Sequence, residues 1–158
     1  MQPTISYLIC ATARSGSNLL CEAMTNTGVA GSPGVFFWRD FQPGWSKQWG
    51  VSDPADYLNK AVEHGSTPNG VFGAKIMIYG GYIEDLLDIL LRLPEHKGTN
   101  ASVTEVIAHT FPNLHYVWIT RRNKVRQAVS HCRASQTGIW RKGDDASGDT
   151  AEKPEFKF

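Results

Sequence analysis

Three short apolar runs, rich in β-branched and aromatic residues, alternate with segments of helical periodicity along this chain. The runs cover residues 6–11, 71–78 and 115–120. The first run lacks the apolar–polar alternation of a half-buried strand, as is typical of strands buried on both faces of a parallel sheet. Strands that alternate with helices favour an α/β domain with a mostly parallel sheet and right-handed crossovers. The sequence therefore predicts a central parallel sheet flanked by helices.

Capping residues and apolar spacing indicate where the helices lie. Asp53 suits an N-cap and Pro54 suits the first helical turn, which predicts a helix from there to about residue 64. Leucine and isoleucine recur at helical spacing over residues 82–93 and predict another helix. Further helices are predicted over residues 18–26, 103–111 and 125–134.

Residues 31–50 form a segment rich in glycine, proline and aromatic residues, with six Phe and Trp side chains. Such a composition predicts a structured loop rather than a disordered one. Trp38, Trp45 and Trp49 either stack on a sugar ligand or form a local core, and the sequence leaves both interpretations open.

The size and composition of the chain, 158 residues with 41% hydrophobic and 20% charged, indicate one soluble globular domain. Its longest apolar stretches are far shorter than the ~20 residues that span a bilayer. Three cysteines without CxxC spacing, Cys10, Cys21 and Cys132, predict buried, reduced thiols in a cytoplasmic protein. From residue 141 onward the chain turns polar, which predicts a domain of residues 1–140 followed by a polar loop or tail at 141–158.

The net charge of +1 is too balanced for a general nucleic-acid binder, although residues 121–133 hold five basic residues and no acidic one. That basic run has no interleaved aromatic residues of the kind that stack on bases. We therefore expect no nucleic-acid partner.

The segment between the first strand and the first helix has the ingredients of an anion site. Gly16 permits close backbone approach, and N–H groups converge at the start of the following helix. Ser15 and Ser17 add hydroxyl donors, and Arg14 adds a cation. The segment lacks the lysine after its glycine that an ATPase P-loop requires, which disfavours a P-loop kinase. Phosphate or sulfate binding is one interpretation of this loop, and an ordinary capped turn is the other.

Four separated segments resemble, in order and spacing, the bacterial family of trehalose 2-sulfotransferases, over essentially the whole chain. They read RSGSNLL at 14–20, TGVAG at 27–31, TPNGVFGAK at 67–75, and QAVS at 127–130 followed by QTGIWR at 136–141. The resemblance implies a P-loop-like, three-layer α/β fold that binds 3′-phosphoadenosine 5′-phosphosulfate (PAPS) as sulfuryl donor. It also implies a small hydroxylated acceptor such as trehalose or another carbohydrate.

The resemblance also implies roles for individual residues of the donor site. The 5′-phosphosulfate would lie on the loop made by Arg14, Ser15, Gly16, Ser17 and Asn18. Asn18 stands where the family usually has threonine, so we expect an altered anion contact there. Arg121 and Ser130 match the arginine and serine that the family uses for the 3′-phosphate. A guanidinium and a hydroxyl are suited to that task, because one grips phosphate bidentately and the other donates a further hydrogen bond.

One position departs from the family at its catalytic base. The family has glutamate in a Pro-x-Glu-aromatic-Phe segment, whereas this chain has Val35, which cannot accept a proton. A positioned base contributes typically ~10²–10⁴-fold to such a reaction. Asp40 is the nearest carboxylate, His64 and His109 are weaker candidates, and no base is assigned. Lys75 could stabilise charge on the leaving phosphate or simply extend from the end of a strand.

Two further expectations follow from the family's length, since its members continue in further helices. The C-terminal helical part of the fold is expected to be missing from this chain. The chain is then either a fragment or a shortened form that depends on self-association into a homodimer. The functional interpretations are then two: a PAPS-dependent sulfotransferase, or a catalytically silent nucleotide-binding domain.

Overall fold

The computed structural model describes residues 2–98 and 100–140 of the chain. Its strands are β1 (Ile5–Ala11), β2 (Val71–Met77) and β3 (Leu114–Ile119). Its helices are α1 (Ser17–Asn26), α2 (Gln42–Trp49), α3 (Pro54–Gly65), α4 (Tyr82–Leu91), α5 (Val103–Thr110) and α6 (Lys124–Thr137), with a short 3₁₀ turn at Pro94–His96. The predicted strands and helices are thereby confirmed to within three residues at each boundary.

The three strands form one parallel sheet in the order β2-β1-β3. Ile9 in the central strand lies opposite Lys75 on one side and Val117 on the other. The chain passes from β1 to β2 and then crosses to the far side of β1, so the direction of winding reverses between β1 and β3. Ligands of open α/β sheets bind at the carboxyl ends of the strands at such a point.

Helices cover the sheet on both faces. On one face, α3, α4 and α5 pack against buried strand residues such as Leu8 and Phe72. On the other face, Cys21 of α1 packs against Tyr7 and Ile9 of β1. The side chains of β1 thus alternate between two apolar layers, and this confirms the α/β fold with a parallel central sheet flanked by helices.

The aromatic segment corrects the sequence analysis in one respect, because it contains a helix, α2, where a loop was predicted. Trp45 and Trp49 of α2 stack on each other with ring centroids 4.9 Å apart. Both rings also contact Phe36, which is 1% exposed. Packing of these rings outweighs the low helix propensity of the glycine and proline in the segment.

The cysteine prediction holds only for one thiol. Cys21 is buried, Cys10 is half-buried and Cys132 is exposed, and none of the three forms a disulfide within the described residues. Cys132 lies on α6, whose described residues include a single buried side chain, Ala134. Within residues 2–98 and 100–140, no helix is long and apolar enough to cross a bilayer. The predicted tail, residues 141–158, lies outside the described residues.

Candidate functional site

The loop between β1 and α1 places backbone donors at the carboxyl end of the central strand. Gly16 immediately precedes α1 with a φ of 99°, and no side chain caps this end of the helix. A φ in this range favours glycine, because a Cβ atom there is sterically disfavoured. Arg14 also has a positive φ, of 58°, which is uncommon for a residue with a side chain. This backbone leaves the first N–H groups of α1 available to an anion.

The serine and asparagine side chains of the loop suit the same ligand. The Ser15 hydroxyl oxygen is buried and has no hydrogen-bond partner among the residues that the structure describes. A buried hydroxyl without a partner costs free energy, and an anion bound in the loop would accept a hydrogen bond from it. Asn18 accepts a hydrogen bond from the Lys75 ammonium, which reaches it from β2. Lys75 is only 7% exposed, so its charge is held inside the site rather than directed to solvent.

Arg14 connects the loop to α6. Its Nε donates to Ser130 Oγ at 2.9 Å, and its Nη1 donates to the carbonyl oxygen of Trp140 at 2.5 Å. The structure therefore brings together Arg14 and Ser130, which are 116 residues apart in sequence. Arg121 follows β3 and is half-buried, but no hydrogen bond in the described part of the chain joins it to Ser130. Its role toward a 3′-phosphate stays a prediction.

A second connection between the loop and α6 comes from Gln127, which the sequence analysis did not single out. Its Nε2 donates to Thr12 Oγ1 at 2.9 Å and to the carbonyl oxygen of Ala13 at 2.7 Å. Gln127 lies one turn before Ser130, so the two residues share one side of α6. Gln127 thereby fixes the position of the loop relative to the helix that carries Ser130. The QAVS segment contains both residues, which is the only signal that sequence offers for this contact.

A large cleft opens beside the loop, with a volume of about 1290 Å³. Its walls come from the loop, α1, the aromatic segment, β2 and the end of α6, and they include Arg14, Asn18, Val35, Asp40, Lys75 and Trp140. Trp38 and Tyr82 line one end of the cleft and stack on each other, with ring centroids 5.0 Å apart and an interplanar angle of 21°. The volume exceeds the ~300–1,000 Å³ of a typical small-ligand pocket.

The sequence left open whether the three tryptophans of the aromatic segment stack on a ligand or form a local core, and they differ in this respect. Trp49 belongs to the local core with Phe36 and Tyr57. Trp45 packs in the same core and also lines the cleft, and Trp38 lines the cleft.

The candidates for a base are distributed unevenly around the cleft. Val35 and Asp40 both line it, whereas His64 and His109 do not. His64 is exposed and contacts the aromatic cluster through Trp45, and His109 contacts the ring of His96. Asp40 lies near Tyr82: burial chiefly raises the pKa of that phenol, and the Asp40 carboxylate raises it further. The two histidines are therefore surface or packing residues.

The Arg39 side chain fixes the segment that carries Asp40. Its Nη2 pairs with Asp85 Oδ1 at 2.9 Å, and its backbone N–H donates to Asp85 Oδ2 at 2.9 Å. Asp85 is 6% exposed and lies in the first turn of α4, where a carboxylate interacts favourably with the helix dipole. Among the described residues, no cluster of His, Cys, Asp and Glu could hold a metal ion.

Comparison with known proteins adds to this geometry. The chain is 33% identical to the trehalose 2-sulfotransferase of Mycobacterium tuberculosis and 32% identical to that of Mycolicibacterium smegmatis, over 91% of its own length in each case. It spans 62% of the length of each of these curated relatives. A sequence model of the family described as Stf0 sulphotransferase matches residues 6–157, nearly the whole chain. The parallel sheet with a glycine loop at its switch point agrees with these matches, and their extent leads to one conclusion: the chain belongs to the Stf0 sulphotransferase family.

Proposed function

We propose that this chain binds PAPS and transfers its sulfuryl group to a hydroxyl of a carbohydrate or another small acceptor. The observation that carries the proposal is the Arg14–Ser130 hydrogen bond of 2.9 Å, which joins the loop after β1 to the helix after β3. These two elements flank the switch point of the sheet, where an extended nucleotide can contact both.

The donor would be held by residues from both sides of that switch point. Arg14, Ser15, Gly16, Ser17 and Asn18 would bind the 5′-phosphosulfate through backbone N–H groups, hydroxyls and a guanidinium. The orphaned Ser15 hydroxyl and the uncapped start of α1 support this assignment. Arg121 and Ser130 would bind the 3′-phosphate, and Ser130 needs only to exchange Arg14 for the phosphate as its partner.

The acceptor would occupy the aromatic end of the cleft. Trp38 and Tyr82 are half-buried, stack on each other and line the cleft there, and aromatic rings of this kind suit the apolar faces of sugar rings. The two curated relatives are named for transfer to trehalose, which makes trehalose the first acceptor to test.

One observation favours a second function, a catalytically silent nucleotide-binding domain. Val35 lines the cleft. It stands where the family resemblance places the catalytic base, and its side chain cannot accept a proton. Loss of a base at the upper end of its usual contribution corresponds to ~5 kcal/mol of transition-state stabilisation. Donor binding would survive such a loss, whereas turnover would become very slow.

Transfer of radiolabelled sulfuryl from PAPS to trehalose and to a panel of other sugars tests the first function. We expect Val35→Glu to raise the transfer rate at least about tenfold over the wild type, because it adds a carboxylate to the wall of the cleft. Val103→Glu is the matched control, since Val103 is exposed and lies outside the cleft. Nucleotide binding without transfer in both the wild type and Val35→Glu would favour the silent domain.

The proposal includes a cytoplasmic location and a homodimer, as the sequence analysis expects. Association of two copies would cover exposed aromatic residues of the edge strand β3, where Tyr116 and Trp118 are 60% and 64% exposed. Sedimentation velocity over a range of protein concentrations measures that association.

A further inference from the structure

Two carboxylates line the large cleft within residues 2–98 and 100–140, Glu22 and Asp40. The sequence analysis considered only Asp40, because Glu22 lies in a helix that follows the anion loop. The choice between them depends on which part of the cleft each one faces.

Glu22 belongs to the wall nearest to the anion loop. Asn18, Glu22 and Asn26 follow one another at intervals of four residues on α1, and all three line the cleft. Residues spaced by four share one face of a helix with Cβ atoms about 5–6 Å apart. Glu22 is therefore one turn from Asn18, whose side chain accepts the hydrogen bond from Lys75.

Under the proposed function, the Asn18–Lys75 pair would lie beside the position where negative charge accumulates on the leaving phosphate. Lys75 is 7% exposed and reaches Asn18 from β2, so its ammonium lies in the cleft beside the loop. A cation at this place would stabilise the phosphate that leaves the sulfuryl group. The base must contact the acceptor hydroxyl, which attacks sulfur from the side opposite the leaving phosphate oxygen. It therefore lies beyond the sulfuryl group from this pair, and Glu22, one helical turn along α1 from Asn18, is the carboxylate that the fold offers there.

Asp40 lies at a different end of the cleft from Glu22. It borders both the large cleft and a smaller cavity of about 460 Å³ over the start of α4, together with Trp38 and Tyr82. The neighbouring residue Arg39 is fixed to Asp85 of α4. Asp40 is thus positioned at the α4 end of the cleft, whereas the Asn18–Lys75 pair lies at the α1 end.

We propose that Glu22 is the general base of this chain and replaces the carboxylate that is absent at Val35. The inference rests on the proposed function. Glu22 would accept the proton of the acceptor hydroxyl while that hydroxyl oxygen bonds to sulfur. The bond between sulfur and the 5′-phosphate oxygen breaks at the same time, and the phosphate oxygen keeps the electron pair.

The first test compares Glu22→Gln with Asp40→Asn in sulfuryl transfer from PAPS to trehalose and to water. Glu22→Gln should lower kcat by about 10²-fold or more and leave the Kd for 3′,5′-adenosine diphosphate within about twofold of the wild type. Glu95→Gln, a change in the exposed turn at Pro94–His96, is the control and should change neither quantity.

The second test needs no turnover. A carboxylate one turn from the sulfuryl position repels the charge of PAPS, so Glu22→Gln should bind PAPS at least about threefold more tightly than the wild type. Binding of 3′,5′-adenosine diphosphate, which lacks the sulfuryl group, should change less. Asp40→Asn should show no such preference.

Different results would contradict the proposed function and the assignment of Glu22 as the base. A wild-type chain that does not bind 3′,5′-adenosine diphosphate contradicts the proposed function itself. If the nucleotide binds, unchanged transfer in Glu22→Gln, or loss of transfer in Asp40→Asn alone, overturns the assignment of Glu22. Nucleotide binding without transfer to trehalose or water also overturns it, because a chain with a working base would transfer the group.

Discussion

Two tyrosine hydroxyls hold the segment that carries Val35 and Asp40. Tyr7 Oη donates to the carbonyl oxygen of Ala30 at 2.5 Å, and Tyr57 Oη donates to that of Phe36 at 2.5 Å. Burial chiefly raises the pKa of Tyr7 to about 12, and burial raises the pKa of Tyr57 as well. Both phenols thus stay protonated at pH values at which an exposed tyrosine ionises.

The free energy of unfolding at alkaline pH tests whether the Tyr7 phenol is buried. The unfolded chain releases the Tyr7 proton near pH 10 and the folded chain near pH 12, so the unfolded state binds fewer protons between these values. The contribution of Tyr7 to the free energy of unfolding should therefore be constant below about pH 10 and fall as the pH rises through that window. Tyr7→Phe should reduce the fall and cost about 1 kcal/mol at neutral pH through the lost hydrogen bond.

Urea unfolding at neutral pH and across the alkaline window measures both effects. Lysine titration contributes equally to the two proteins, so their difference isolates Tyr7. An identical alkaline fall in Tyr7→Phe and wild type would show that Tyr7 is not buried as described.

At the scale of elements, the contact between α6 and the loop after β1 rests on Gln127. Gln127→Ala removes two hydrogen bonds that orient the loop and should weaken binding of 3′,5′-adenosine diphosphate about tenfold, a loss of about 1.4 kcal/mol. Gln136→Ala is the matched control, because Gln136 is an exposed residue of the same helix. Calorimetric titration of both variants checks the prediction. An equal effect of the two substitutions would mean that α6, rather than Gln127, sets the affinity.

Two glycines in the aromatic segment should respond oppositely to alanine. Gly31 has a φ of 75°, and a Cβ atom there would lie 3.0 Å from the backbone nitrogen of Gly73. Gly31→Ala should therefore lower the free energy of unfolding by about 1–3 kcal/mol. A Cβ atom on Gly44, in α2, would meet no atom within 4 Å, so Gly44→Ala should raise stability by about 0.5–1 kcal/mol. Urea unfolding of the two variants measures both changes. A lower free energy of unfolding in Gly44→Ala would contradict the assignment of residue 44 to helix α2.

Elements with strong local signals could be predicted from the sequence, and those that depend on distant contacts could not. The Asp53 cap and the leucine spacing of α4 are local, and both helices were found. Helix α2 was missed because its rings pack against Phe36, outside the helix itself. The change from strand to loop to helix at residues 12–17 could be predicted from local residues, and the role of that loop toward an anion stays a prediction. The contact of Gln127 with Thr12 spans 115 residues and could not be predicted. No sequence pattern places Glu22 in the cleft before the fold is known.

At the scale of the whole molecule, the cleft is assembled from distant parts of the chain. Arg14 comes from the end of β1, Lys75 from β2, and Trp140 from the segment after α6. Ligand binding should consequently stabilise the described fold as a unit, because any ligand that binds only the folded state shifts the unfolding equilibrium. At a nucleotide concentration of about 100 Kd, that shift amounts to about 2.7 kcal/mol.

The proposed function requires that the cleft binds PAPS through Arg14 and Ser130. Isothermal titration of 3′,5′-adenosine diphosphate into the wild type, Arg14→Ala and Ser130→Ala tests it most directly. Arg92→Ala and Ser135→Ala serve as matched controls, since both residues are exposed and neither lines the cleft. We predict a micromolar Kd for the wild type and both controls, and about tenfold or weaker binding for Arg14→Ala and Ser130→Ala. A folded wild-type chain that does not bind the nucleotide, or equal affinity in all five proteins, would contradict the claim.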